Sequence, residues 1–100
     1  MEKLEILGVK ALVARTFRER ARGLIGRPRP REGEGMLIER CNAIHTFFMK
    51  YEIDAVFIGR DGSIVKVVRS IRPWRLWVWG GWRAVKVLET PSRGDRTERS

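Results

Sequence analysis

Apolar and polar positions alternate with a period of two along most of the chain, the pattern of half-buried β-strands. Leu4 and Ile6 share one phase. Val9, Ala11 and Val13 share the other, and the phase slips at Leu7-Gly8, where a tight turn or bulge is expected. Met36–Ile38 starts a further strand. Residues 53–58 alternate with apolar side chains on both faces, and Ile64–Val68 follow after Asp61-Gly62. Asp-Gly between two apolar runs predicts a β-hairpin, with a type I′ turn as the expected connection. Pro73 ends the second strand, Gly80-Gly81 suits another tight turn, and Ala84–Glu89 closes the sheet.

Only one segment has the helical period. Thr16 and Glu19 have the spacing of a capping box, and Phe17, Ala21, Leu24 and Ile25 fall on one face of a helix. Gly26 suits the left-handed position after its last turn, and Pro28 prevents continuation. The expected fold is therefore mainly β. It is a compact β-sandwich or barrel-like single domain over residues 1–90, with one short α-helix near residues 17–25. Residues 91–100 are polar and charged and are expected to form a disordered tail.

Composition narrows the class. One hundred residues suffice for one core, and 43% hydrophobic with 33% charged residues is ordinary for a soluble globular protein. The chain has no apolar run of the length a membrane span needs and opens without a signal-peptide pattern, so a cytoplasmic location is expected. The net charge of +9 is concentrated in two basic flanks around an acidic middle. Such a surface suits nucleic acid, anionic lipid or an acidic protein, and it equally suits a solvated Arg-rich face of a heat-adapted protein.

Chemistry gathers in residues 41–68, which hold the single Cys, the single His and three of the four Phe. One Cys and one His fall short of a zinc ligand set, so no metal or other cofactor is expected. Cys41 reads as a small buried residue, or as a nucleophile if His45 stands beside it. Asp54 sits on an otherwise apolar strand, on the face of Val56 and Ile58. A carboxylate there needs partners, and the neighbouring segment 44–50 offers Thr46, Lys50 and His45. It either pins that segment or acts as a general base. Trp74, Trp77, Trp79 and Trp82 crowd residues 72–82 with interleaved Arg. They read as a flap over one end of the sandwich, or as a stacking surface for a ligand.

The stretches ERARGLIGR at 19–27, GML at 35–37, IHTFFMKYEID at 44–54 and VLE at 87–89 stand in order and at fitting separations. In them the chain resembles the prokaryotic family known as domain of unknown function 192, over roughly residues 4–94. Where that family usually has Pro, this chain has Glu52, and where it often has Met, this chain has Ile25. The resemblance implies a compact β-sandwich or barrel with one short helix. It points to Arg20, Gly23, Thr46, Met49, Lys50 and Asp54, and it implies no activity.

Three functions compete. The first is a non-enzymatic binding module for a small ligand or peptide, using Arg20, Thr46, Met49, Lys50, Asp54, Trp74, Trp77 and Trp79. The second is an enzyme using His45 and Asp54, with Cys41 as a further candidate. The third is a weak, non-specific nucleic-acid binder. The residues favour them in that order, because neither a nucleophile motif nor a nucleic-acid motif accompanies the charge.

Overall fold

In a computed structural model the described residues are 1–92. Eight strands and one helix follow in the order β1 Glu2–Ile6, β2 Val9–Ala14, α1 Phe17–Arg22, β3 Glu34–Glu39, β4 Ala43–Ile44, β5 Ile53–Gly59, β6 Ile64–Ile71, β7 Val78–Trp79 and β8 Ala84–Pro91. Six strands form one sheet in the order β1-β2-β3-β8-β5-β6, and β4 pairs with β7 in a small second sheet. The expected mainly-β domain with one short helix is what the chain forms.

The phase slip at Leu7-Gly8 is a two-residue hairpin turn. Ile6 pairs with Val9, and both turn residues take positive φ, 51° and 76°. That geometry matches the right-handed twist of the flanking strands. The β5–β6 hairpin forms at Asp61-Gly62, but its turn differs from the expected type. Gly62 N–H donates to Gly59 O at 3.0 Å, and Gly62 is the residue of this loop with positive φ, 87°. Asp61 instead accepts from the backbone N–H and the hydroxyl of Ser63, at 3.0 and 2.7 Å. A carboxylate that can bond two residues ahead stabilises the right-handed turn and leaves the left-handed position to glycine.

β2 and β3 run parallel, so residues 15–33 must cross between them, and α1 lies in that crossover. The capping box is present: Glu19 N–H donates to Thr16 Oγ1 at 3.1 Å and Thr16 N–H to Glu19 Oε1 at 3.1 Å. The helix is shorter than its sequence period suggests. It stops at Arg22, capped by Gly23, and none of its residues is buried. Phe17 and Ala21 face outward, while Leu24 and Ile25 pack from the turns after the helix. Gly26 takes positive φ in a following turn and is not the helix cap.

The main sheet carries apolar side chains on both faces. Ala14, Met36, Ile38, Ile53, Ala55, Phe57, Ile71, Ala84 and Val87 form the larger core, covered by Leu24, Ile44, Met49 and Val78. The opposite face has a smaller core of Ala11, Val13, Leu37, Ile58 and Leu88. β8 lies between β3 and β5, so its residues are flanked on both sides. It continues through Pro91, and Ser92 is buried, with its N–H donating to Glu52 O at 3.0 Å. Pro91 and Ser92, the first two residues of the expected tail, thus lie against β5 and the 51–53 segment. The rest of the tail expectation lies outside the described residues. No helix among the described residues is long and apolar enough to cross a membrane.

Candidate functional site

Glu89 is the one acidic residue in β8. It shares a sheet face with Val87, between Met36 of β3 and Ala55 of β5, and it is buried. Above it the chain leaves α1 through Gly23 and Leu24, and the Leu24 N–H donates to its carboxylate. Burial in apolar surroundings pushes the Glu89 carboxyl up to about 7, and the Leu24 hydrogen bond opposes the rise only in part. A cavity of about 240 Å³ adjoins it beneath α1. Its walls are mainly apolar, from Leu24, Ile25, Ile38, Ile44 and Met49, with Arg20, Arg22, Cys41, His45 and Glu89 as the polar members.

Gly23 makes this arrangement sterically feasible. Its φ is 52°, and a Cβ there would lie 3.0 Å from Glu89 Oε1 and 3.2 Å from Ile38 Cδ1. Any side chain at this position would press on the carboxyl and on the cavity wall while adopting a left-handed backbone. Arg20 fixes the helix to the end of β3: its Nε donates to Glu39 O at 2.9 Å and an Nη to Arg40 O at 2.8 Å. The guanidinium thus closes one side of the cavity while two backbone carbonyls hold it in place.

Of the sequence candidates, the structure brings Arg20, Cys41, His45 and Met49 to this cavity. Cys41 is half-buried and its Sγ donates to Ala43 O at 3.0 Å. Burial pushes its thiol upward, and Glu89 adds to the effect. His45 is exposed at the rim, where Nδ1 accepts from the Phe47 N–H at 3.3 Å. Lys50 is exposed and lines a neighbouring hollow with Leu24, Phe48 and Met49.

Thr46 plays a different part. It is buried, its hydroxyl donates to Arg72 O at 2.6 Å and accepts from Arg75 N–H at 2.8 Å, and its own N–H donates to Arg75 O at 3.0 Å. It is the peg that fastens residues 72–75 to the segment after β4. Trp74, Trp77 and Trp79 are exposed on the strip so fastened, with Val78 turned inward between the last two. None of the tryptophans lines the cavity beneath α1.

Asp54 is buried on the face of Val56 and Ile58, as its alternation predicts, but its partners are not in residues 44–50. Oδ1 accepts from the Ser70 N–H at 2.8 Å, and Arg69 Nη1 stands 3.9 Å from Oδ2. The segment 44–50 is engaged instead with residues 72–75, so the nearest donors to Asp54 come from the adjacent strand β6. Asp54 lines a separate hollow with Gly8, Gly33 and Thr90, and His45 does not reach it.

A family model for DUF192, described as Uncharacterized ACR, matches residues 2–96. The chain belongs to this family. A UPF0127 protein of Thermococcus sibiricus is 37% identical over 83 residues, which cover 79% of this chain and 53% of that protein. The chain thus spans about half the length of that curated relative. Two solved structures share the fold of this DUF192 domain. A protein of unknown function from Novosphingobium aromaticivorans aligns with TM-score 0.79 and 21% identity, over 89% of this chain and 67% of its own. A Sinorhizobium meliloti protein named as a candidate transcription regulator aligns with TM-score 0.75 and 19% identity, over 97% and 83%.

Sequence reasoning passed over Glu89 as a site residue. The signal was present: Val85, Val87 and Glu89 occupy one phase of β8, which puts a carboxylate on an apolar face.

Proposed function

We propose that this domain is a binding module for a small ligand, held in the cavity beneath α1 and recognised by the Glu89 carboxyl. The observation that carries this reading is a buried carboxyl beside a mostly apolar cavity of about 240 Å³. An apolar hollow with one or two convergent polar groups suits a compact apolar body with a single directed polar group. Near neutral pH the carboxyl is poised between its two forms. It can accept a hydrogen bond from an ammonium or amide donor, or, when protonated, donate one.

The enzymatic alternative has less support. Its general base and its histidine belong to different hollows, and a thiol pushed upward by burial is a poor nucleophile near neutral pH. The test is a screen of small fragments, short alkylamines, alkylamides and alcohols, read by amide and side-chain chemical shifts. The reading expects shifts clustered on Leu24, Met49 and Glu89, weakened in Glu89→Gln for amines. Shifts confined to the exposed tryptophans, with nothing at Glu89, would overturn it.

A further inference from the structure

We infer that the exposed aromatic strip of residues 74–82, together with Phe48, docks the domain on an anionic lipid surface. The strip presents Trp74, Leu76, Trp77 and Trp82 at 59%, 70%, 64% and 85% exposure, and Phe48 beside it at 63%. Isolated apolar residues on a surface need no explanation, but five large ones drawn from two adjoining segments do.

The strip is held firmly. Thr46 bonds it at Arg72, Trp74 and Arg75, β7 pairs with β4, and Gly80 N–H donates to Asn42 O at 2.7 Å. Phe48 and Trp74 both take positive φ, 64° and 68°, a conformation that bulky side chains seldom adopt. Their rings meet at 4.8 Å, and the Trp74 N–H is fixed on Thr46 O at 2.7 Å. A costly backbone is thus maintained at two of the residues that present large rings to solvent.

Charge identifies the occupant. Residues 62–88 contain six Lys or Arg and no Asp or Glu. Arg72, Arg75 and Arg83 are exposed in or beside the strip, and Lys66 Nζ donates to Trp79 O at 2.8 Å. Tryptophan with arginine and lysine is the composition of membrane-interface anchors, rings at the headgroup level and cations on anionic headgroups. Stacking on nucleic-acid bases fits less well. Leu76 has no ring face to offer, and Trp79 meets Trp82 edge-on at 82°, which does not make a platform for successive bases. A second copy fits less well too, since two such cationic strips repel each other.

The experiment is sedimentation of the 100-residue chain with vesicles of phosphatidylcholine alone or mixed with phosphatidylglycerol. The tests are wild type, Leu76→Ser/Trp77→Ser and Arg72→Glu/Arg75→Glu, with circular dichroism to show that each is folded. The expected result is binding to the mixed vesicles, weakened about tenfold or more by each double variant and by raised salt. Quenching of tryptophan emission by brominated acyl chains should accompany it. The proposal is overturned by no sedimentation with mixed vesicles, by equal binding to both vesicle types, or by binding indifferent to Leu76→Ser/Trp77→Ser. It is likewise overturned if single-stranded oligonucleotide or self-association, rather than lipid, is what those variants abolish.

Discussion

The Oε1 atom of Glu89 lies 3.0 Å from the point where a Cβ on Gly23 would stand. The two residues are far apart in sequence, yet the backbone that leaves α1 passes directly over the carboxyl. Gly23 has positive φ and Leu24 supplies an N–H to Glu89, so one glycine sets both the path of the chain and the approach to the buried acid. Gly23→Ala should therefore destabilise the domain by about 1–3 kcal/mol, from left-handed strain plus crowding of Glu89 and Ile38. Urea denaturation of the two proteins measures this. An unchanged midpoint would mean that the turn does not press on Glu89.

Glu89 also gives a pH dependence of stability. Its carboxyl is raised from an ordinary 4.5 to about 7 in the folded domain. Between those values the folded state holds a proton that the unfolded state has released, so stability falls as pH rises through this window and levels above it. The total contribution is on the order of 3 kcal/mol. Glu89→Gln keeps the shape without the ionisation. It should flatten the fall between pH 5 and 7, about the two pKa values, and leave the variant more stable than wild type at pH 8, where the wild-type carboxyl is ionised. Melting temperatures across that range decide the matter, and parallel curves for the two proteins would contradict the account.

Thr16→Ala should cost about 1 kcal/mol, the usual loss with an N-cap hydroxyl. The helix is only Phe17–Arg22 and buries none of its own side chains, so its capping box is a large share of what holds it. The loss should also loosen Leu24 above Glu89, seen as faster hydrogen exchange of the Leu24 amide. Unchanged exchange would separate the cap from the site.

Asp54→Ala should destabilise by about 1 kcal/mol, since it removes the acceptor of the Ser70 N–H, and Asp54→Asn should cost less because its amide oxygen can still accept. The effect should fall on stability and leave fragment binding at the cavity beneath α1 unchanged, because Asp54 lines a different hollow. Weakened binding at temperatures where the variant remains folded would tie Asp54 to the site.

What could be read from the sequence was local. The Thr16/Glu19 box spans four residues, and the β1–β2 and β5–β6 turns announce themselves by phase slip or Asp-Gly. The alternation of β5 puts Asp54 on the face of Val56 and Ile58, where it lies. The remainder depended on packing between distant segments. Helical periodicity ran on to Ile25, but the need to turn over β8 ends α1 at Arg22. Asp54 finds its donor 16 residues away on β6, and Thr46 finds Arg72 and Arg75, pairings that sequence distance does not disclose. Glu89 lay in plain alternation with Val87. Its burial follows from the place of β8 between β3 and β5, and that order of strands is a tertiary fact.

The most direct test of the central claim is the titration of Glu89 itself, followed by the carbon chemical shift of its side-chain carboxyl in labelled protein. The account predicts a midpoint near 7 in the free domain, and a lower one when a small alkylamine occupies the cavity and favours the ionised form. A midpoint in the ordinary carboxylate range, unmoved by the amine, would contradict it.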